Sequence, residues 1–268
     1  MKNNILLIGS GSWGQNYIKT LSNFPNVNLT VANRENWKKL IEKNPDGVII
    51  STPPQSHIEI AKFSLERNIP TMIEKPLSLS LEEAQVLSQF KAPILVNYIH
   101  LFSDAYENIK KIVDPEKIEY IRTEVRGDKN SKHCSNLFDY FPHELAYILD
   151  LSNQLPKKIT LKKEKTGTTE EYTKLFLEFS ENFYSYTEMH RPDIKKSKLR
   201  WLEIESDGIS IIYKDTERPA NHASPLNKSC QVFLNAIDGK SDWRLGLELS
   251  FKILDILEKC EKYNEMIY

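Results

Sequence analysis

Residues 4–14 place a short apolar strand, a glycine-rich turn and the start of a helix directly one after another. Three glycines follow the strand at the spacing GxGxxG. In this setting the first glycine permits a tight turn, the second lets a pyrophosphate approach the backbone, and the third lets the helix pack against the strand. The N-terminus of the helix favours the phosphate charge. We therefore predict a Rossmann unit that binds a dinucleotide. The predicted contacts in this turn are Gly9, Gly11, Ser12, Trp13 and Gly14.

The second strand, Val27–Ala32, bears on the choice of cofactor. About 20 residues past the glycines, an Asp or Glu ordinarily binds the ribose 2′-hydroxyl of NAD. Here the sequence has Asn33 and Arg34. An arginine with no carboxylate at the strand tip can pair with a 2′-phosphate, so we expect NADP to be favoured over NAD. The alternative is that Arg34 only begins a helix and that Glu35 binds the ribose of NAD.

Strands and helices alternate up to residue 97. Strands are predicted at 4–8, 27–32, 46–52, 71–74 and 94–97, with helical segments at 13–21, 35–43, 55–65 and 80–90. Such alternation specifies an α/β Rossmann domain with a doubly wound parallel sheet, which we assign to residues 1–97. Because only one short helix separates the second and third strands, a strand of a fuller Rossmann sheet is expected to be missing.

Lys75 directly follows the strand 71–74. Ligands of a parallel sheet bind beyond the carboxyl ends of its strands, so a cation at this position is expected to face a substrate. The same rule makes Asn97, Tyr98 and His100, after the last strand, candidate substrate contacts. The alternatives are an ordinary surface lysine at the strand end and a hydrogen-bonded hinge after residue 97.

The pattern changes after residue 100. A helix is predicted at 104–113, strands at 118–126, 159–164, 173–179, 183–191, 199–205 and 209–213, and closing helices at 228–237 and 243–263. Polar turn signals between neighbouring runs predict an antiparallel meander. We therefore assign residues 98–268 to an α+β domain with a mainly antiparallel open sheet.

Within this second domain, residues 136–150 have helical periodicity, and Asp139 and His143 lie four residues apart. On a helix, this spacing places both side chains on one face. A carboxylate beside an imidazole can orient it for acid or base chemistry, because the pKa of histidine ordinarily lies near neutrality. The alternatives are a capping Asp with an incidental His, or half of a metal site. No further ligand occurs at a recognisable spacing, so we expect no metal.

Composition limits the class of protein. The 268 residues include 36 basic and 37 acidic residues without a block of like charge, which disfavours nucleic acid or a membrane surface as a partner. The apolar run at 5–8 is too short to span a membrane. Three cysteines without CxxC spacing indicate reduced thiols and a cytoplasmic protein.

The motifs occur in a recognisable order. They are Gly9-x-Gly11-x-x-Gly14, Thr52-Pro53-Pro54 with His57, Glu74-Lys75-Pro76, and Asp139-x-x-x-His143. In this order the chain resembles the Gfo/Idh/MocA family of NAD(P)-dependent oxidoreductases, the relatives of glucose-fructose oxidoreductase and inositol dehydrogenase. The resemblance covers essentially the whole length, including a late helix around 233–237.

The resemblance implies a Rossmann domain followed by a mixed domain whose open sheet often mediates homo-oligomers, here a dimer or tetramer. It also implies that Lys75, Asp139 and His143 meet the nicotinamide and a sugar-like carbon. The further cofactor contacts that it implies are Ser51, Thr52, Pro53, His57, Glu74 and Lys75.

The expected reaction is the interconversion of a hydroxyl and a carbonyl on a sugar, polyol, sugar derivative or nucleotide sugar, a step of carbohydrate metabolism. His143 is the expected proton acceptor, Lys75 would stabilise the developing alkoxide, and the two could exchange roles. Asp139 would orient His143 or bind a substrate hydroxyl. The alternatives are a sensor or partner protein that binds NAD(P) without turnover, and a hydrolase or lyase that uses tightly held NAD for transient oxidation.

Overall fold

The computed structural model describes residues 2–126, 133–166, 170–191, 199–215, 225–263 and 265–267. The strands are β1 (Asn3–Ile8), β2 (Val27–Ala32), β3 (Gly47–Ile50), β4 (Thr71–Glu74), β5 (Ile94–Asn97), β6 (Ile118–Arg126), β7 (Lys158–Thr166), β8 (Glu170–Ser180), β9 (Phe183–Arg191), β10 (Leu199–Ser206), β11 (Ile209–Asp215) and β12 (Glu265–Ile267). The helices are α1 (Ser12–Leu21), α2 (Trp37–Ile41), α3 (His57–Leu65), α4 (Leu81–Gln85), α5 (Asp104–Ile112), α6 (Asn136–Ser152), α7 (Pro225–Ile237) and α8 (Glu248–Lys262).

The chain forms two compact units. The first comprises residues 1–103 and 223–251, and the second comprises 104–222 and 252–268. This division differs from the predicted boundary after residue 97, because α7 packs within the first unit. A Cβ built on Gly47 at the start of β3 would lie 2.6 Å from Cδ1 of Ile237 on α7. The sequence shows that α7 is amphipathic, but it does not show which sheet the helix covers.

The first unit contains a parallel sheet in the order β2-β1-β3-β4-β5. Every residue of β3, β4 and β5 is buried, which agrees with their mainly apolar sequences, and the polar residues Thr71, Glu74 and Asn97 lie at strand ends. The doubly wound α/β fold predicted from the sequence is confirmed, as is the shortened sheet. Because all five strands run the same way, their carboxyl ends lie at one edge of the sheet, which we call the carboxyl edge.

The second unit contains a mainly antiparallel sheet in the order β11-β10-β6-β9-β8-β7-β12, as predicted in class. The predicted meander is wrong in one respect. Strand β6 lies between β9 and β10, parallel to β9 and antiparallel to β10. Local turn signals identify the hairpins β8–β9 and β10–β11, but they carry no information about insertion of a strand that is distant in sequence. The short edge strand β12 was not predicted from the sequence.

Helix α6 packs on β6 and β9. On the strands of this sheet, buried side chains such as Ile121, Leu175 and Met189 alternate with half-buried or exposed ones. The second set defines what we call the open face, and it contains Tyr120, Arg122, Phe176, Tyr184, Tyr186 and Trp201. Within the described ranges, no helix is long and apolar enough to cross a membrane.

Candidate cofactor and active site

The turn after β1 depends on two glycines. Gly9 has a φ of +102°, and a Cβ there would lie 2.5 Å from the carbonyl oxygen of Ser51. A Cβ on Gly14 would lie 2.2 Å from the carbonyl oxygen of Gly9. Neither position accepts a side chain without movement of the backbone. The two glycines therefore allow α1 to begin immediately beside the carboxyl end of β1.

Gly11 is exposed and has a different environment. It is the N-cap of α1, and among the described residues nothing lies within 4 Å of a Cβ built on it. The first turn of α1 contains no acidic residue, and its N-cap, a glycine, has no side chain that could cap the turn. The backbone N–H groups of this turn, including that of the exposed Ser12, therefore fit a pyrophosphate.

The turn after β2 is stabilised by an asparagine pair. The Oδ1 atom of Asn33 accepts hydrogen bonds from the backbone N–H groups of Glu35 (2.9 Å) and Asn36 (3.1 Å). The Oδ1 atom of Asn36 accepts from the backbone N–H of Asn33 at 2.9 Å. The side chain of Asn33 is therefore used within the turn, and Arg34 and Glu35 are exposed. Both remain candidates for the contact with the ribose.

The turn after β3 is held by a histidine. His57 is 1 % exposed, and its Nδ1 and Nε2 atoms lie 3.0 Å from the carbonyl oxygen of Pro76 and 2.8 Å from that of Thr52. The ring therefore joins the turns that follow β3 and β4. Burial lowers the pKa of His57, and the carbonyl contacts oppose that shift. Pro53 is exposed in the same turn. The Oγ atom of Ser51 is buried and has no hydrogen-bond partner within the described ranges.

Glu74, at the end of β4, is the centre of a buried network. Its Oε1 atom accepts hydrogen bonds from the hydroxyl of Tyr17 (2.6 Å) and from Nδ2 of Asn97 (2.7 Å). Its Oε2 atom accepts from the backbone N–H of Lys75 at 3.2 Å. Nδ2 of Asn97 also donates to the hydroxyl of Tyr17 at 2.8 Å. The network joins α1, β4 and β5 at the carboxyl edge.

Burial raises the pKa of the Glu74 carboxyl, and the donors from Tyr17 and Asn97 oppose that increase. Trp13 also lowers the pKa of Glu74, although its buried indole N–H makes no hydrogen bond of good geometry among the described residues. Burial raises the pKa of Tyr17 well above its usual range. Tyr17 was not predicted from the sequence as a site residue. The available signal was its hydroxyl, which needs a partner when the ring is buried.

The candidate substrate contacts that follow β4 and β5 differ in burial and in hydrogen bonding. Lys75 and His100 are half-buried, and both lie in the first unit. Asn97 is fully buried, and within the described ranges its Oδ1 atom has no hydrogen-bond partner. Tyr98 is 3 % exposed and donates to Oγ of Ser250 at 3.1 Å. Tyr98 is therefore packed into the first unit, whereas Asn97 retains an acceptor for a ligand.

Asp139 and His143 lie one turn apart on α6, in the second unit. The Oγ atom of Ser135 caps this helix by accepting from the backbone N–H of Phe138 at 3.5 Å. Asp139 is half-buried, and His143 is 8 % exposed. The helical spacing predicted for this pair is therefore present, with the acid near the N-terminus, where the helix dipole favours it.

The residue that follows His143 fixes α6 to its sheet. Glu144 is fully buried and forms an ion pair with Arg200 on β10. Burial raises the pKa of Glu144, while Arg200 and the nearby hydroxyl of Thr123 on β6 oppose that increase. Sequence reasoning missed this pair because its members are 56 positions apart in the chain and neither belongs to a motif.

Among the described residues, neither the cysteines nor the potential metal ligands form a further site. Cys134 is half-buried, Cys230 and Cys260 are buried, and none of the three forms a disulfide. A search of the described residues finds no group of three or more His, Cys, Asp or Glu residues that could hold a metal ion.

The folds of known proteins cover the whole chain. Scyllo-inositol dehydrogenase from Lactobacillus casei, solved with NAD(H) and scyllo-inositol, matches with a TM-score of 0.82 at 14% identity, over 100% of this chain and 99% of that one. Myo-inositol 2-dehydrogenase from Lactobacillus plantarum matches with a TM-score of 0.82 at 17% identity, over 98% and 97%. UDP-N-acetylglucosamine 3-dehydrogenase from Acidithiobacillus ferrooxidans matches with a TM-score of 0.80 at 15% identity, over 97% and 96%. At these identities the similarity establishes the fold.

Similarity in sequence covers a shorter part of the chain than similarity in fold. A search of curated proteins finds no match. Residues 26–93 match the model of the Gfo/Idh/MocA family, described as an oxidoreductase family with an NAD-binding Rossmann fold. This segment contains the second, third and fourth strands and the motifs at Thr52 and Glu74. The expected resemblance to the Gfo/Idh/MocA family is thereby confirmed, and the segment that matches lies within the first unit.

Proposed function

We propose that the protein is an NAD(P)-dependent oxidoreductase that interconverts a hydroxyl and a carbonyl on a sugar, a polyol or a sugar derivative such as a nucleotide sugar. The observation that carries the proposal is the carboxyl edge of the first unit. There, the glycine turn after β1 shares an edge with Lys75 and with the Oδ1 atom of Asn97, which has no hydrogen-bond partner among the described residues. Dehydrogenases of inositols and of a UDP-sugar among the fold relatives support this substrate class.

When bound, the nicotinamide supplies the hydride chemistry, and the protein supplies position and charge. In the oxidation direction, the substrate hydroxyl must lose its proton. His143 is proposed as the acceptor, with Asp139 on the preceding turn of α6 orienting the ring or binding a neighbouring hydroxyl. Lys75 is proposed to stabilise the developing alkoxide. The backbone N–H of Lys75 donates to Glu74, which fixes the main chain that carries this cation.

We propose further that NADP is the favoured cofactor and NAD the alternative. Arg34 is exposed directly after β2, and a guanidinium there can pair with a 2′-phosphate in a bidentate manner. Glu35 is exposed in the same turn, and it would take the ribose 2′-hydroxyl if NAD were preferred. The side chain of Asn33 is bonded within the turn and supports its conformation.

The open face of the second unit supports the proposal of a homo-oligomer, a dimer or a tetramer. The ring of Tyr184 lies 4.9 Å from that of Tyr120 and 5.6 Å from that of Phe176, and the residue is 44% exposed. Clustered exposed aromatic side chains are typical of protein interfaces. None of the three cysteines forms a disulfide, which agrees with the proposed cytoplasmic location. Light scattering of wild type and of Tyr184→Glu would test the oligomer, and an unchanged mass would contradict this use of the open face.

The proposed activity is tested by a screen of polyols, sugars and nucleotide sugars with both cofactors, followed at the absorbance of the reduced nicotinamide. Substrate-dependent reduction of NADP, or of NAD, is the expected result. Cofactor binding without turnover of any compound would favour a sensor or partner protein. A cofactor that remains bound through purification and never exchanges would favour a hydrolase or lyase that uses transient oxidation.

A further inference from the structure

The carboxyl group of Glu74 is surrounded by neutral donors. The hydroxyl of Tyr17, the amide of Asn97 and the backbone N–H of Lys75 all donate to its two oxygens. The ionised form accepts all three hydrogen bonds, whereas a protonated carboxyl would place its own O–H against these donors. Glu74 is 7 % exposed, so its negative charge is poorly screened by water. The network thus holds a fixed carboxylate at the carboxyl edge.

The order of the strands indicates which half of a bound dinucleotide would lie beside this carboxylate. In a Rossmann unit, the pyrophosphate lies at the N-terminus of α1 and the adenosine ribose at the end of β2. Since the order is β2-β1-β3-β4-β5, the nicotinamide half extends over the ends of β3, β4 and β5. Glu74 is the last residue of β4, and Asn97 is the last residue of β5.

A second observation also indicates a ligand at this position. The Oδ1 atom of Asn97 is buried and has no hydrogen-bond partner among the residues that the structure describes. Buried acceptors in folded proteins are nearly always paired, so this atom is available to a donor on a ligand. The carboxamide N–H group of a nicotinamide is such a donor. Asn97 would therefore link the carboxylate of Glu74 to a nicotinamide bound at its Oδ1 atom.

We propose that the carboxylate of Glu74 makes the site bind the oxidised cofactor more tightly than the reduced one. The oxidised nicotinamide ring carries a positive charge, and the reduced ring is neutral. A fixed negative charge beside the ring stabilises only the first of these forms. This inference rests on the proposed NAD(P)-dependent function, and it assigns to Glu74 an effect on the redox equilibrium of the bound cofactor.

The test is equilibrium binding and needs no substrate. Dissociation constants for the oxidised and reduced forms of NADP and NAD are measured by calorimetry for wild type, Glu74→Gln, Glu74→Asp and Glu82→Gln. The ratio of the reduced to the oxidised constant is expected to fall about tenfold in Glu74→Gln, because one unit charge is lost. Glu74→Asp keeps the charge and is expected to keep most of the preference. Glu82 is exposed on α4, so Glu82→Gln removes the same charge without effect on the ratio.

A ratio in Glu74→Gln within twofold of wild type would overturn the inference, and so would equal weakening of both forms. Should Glu74→Gln fail to fold, Tyr17→Phe gives the second test, because it removes one donor to the carboxylate and preserves the ring. A fall of about threefold in the ratio is expected, since a hydrogen bond to the charged form favours ionisation. An unchanged ratio in Tyr17→Phe would then refute the role of Glu74. If wild type bound neither form, the proposed function would fail together with this inference.

Discussion

The carboxyl edge of the first unit and helix α6 of the second unit carry the proposed catalytic groups, but they are stabilised in different ways. At the edge, Glu74 is held by neutral donors, and the glycine turn is shaped by backbone sterics. On α6, the residue beside His143 is held by a buried ion pair with Arg200. Neutral networks and tight backbone turns tolerate few substitutions, whereas a buried ion pair leaves an uncompensated charge when one partner is lost.

Because of this difference, substitutions can change activity without loss of stability at Lys75 but not at Glu144. Lys75 follows the Glu74 network but is itself half-buried, so its ammonium group can be removed without opening the core. Glu144 has no such freedom, because it is fully buried beside His143. Changes at Lys75 should therefore affect binding and turnover first, and changes at Glu144 beneath α6 should affect folding first.

Lys75→Ala is expected to have the largest effect. Loss of the cation that stabilises the alkoxide should lower kcat/KM by about a thousandfold, ~4 kcal/mol of transition-state stabilisation. Cofactor binding and the unfolding midpoint should remain near wild type. Steady-state kinetics with a substrate from the screen, together with calorimetry for the cofactor, measure both quantities. Turnover within a few-fold of wild type would show that Lys75 is not catalytic.

Glu144→Gln is expected to lower the free energy of unfolding by about 3 kcal/mol, because Arg200, whose side chain is only 12% exposed, is left without its counter-charge. Replacement of both partners, with Glu144→Leu and Arg200→Met, should recover much of this loss. Urea denaturation followed by circular dichroism measures the change. Asp207→Asn, which removes an exposed ion pair with Lys117 in the same unit, is the control and should leave the midpoint nearly unchanged. A single variant as stable as the double variant would argue against the ion pair as the anchor of α6.

Site residues that are close together in the chain could be predicted from the sequence, but their distant partners could not. The glycine turn was predictable because its residues are adjacent in the chain and each has a steric reason, such as the positive φ of Gly9. The turn of α6 that carries Asp139 and His143 was predictable from spacing alone. The partners that stabilise these elements, Tyr17 for Glu74 and Arg200 for Glu144, were not, because they are distant in sequence and depend on the sheet order.

Gly14→Ala and Gly11→Ala distinguish the role of the glycine turn in stability from its role in cofactor binding. A Cβ on Gly14 meets the backbone oxygen of Gly9, so we expect a loss of about 2 kcal/mol of stability together with loss of cofactor affinity. A Cβ on Gly11 meets no described atom within 4 Å, so that variant should keep its stability and lose affinity only. Thermal unfolding and calorimetric titration of both variants measure the contrast. Full affinity in Gly11→Ala would show that no pyrophosphate approaches this position.

Arg34→Ala tests the exposed end of the carboxyl edge, where charge and not backbone shape is proposed to select the ligand. Removal of the guanidinium should weaken NADP binding about tenfold, ~1.4 kcal/mol, and leave NAD binding nearly unchanged. Glu35→Ala is the matched variant from the same turn, and it should weaken NAD binding only if that carboxylate holds the ribose. Equal losses of NADP and NAD affinity in Arg34→Ala would remove the argument for a 2′-phosphate. A loss confined to NADP would show that a single side chain sets cofactor choice at β2, while backbone geometry at β1 sets the affinity that both cofactors share.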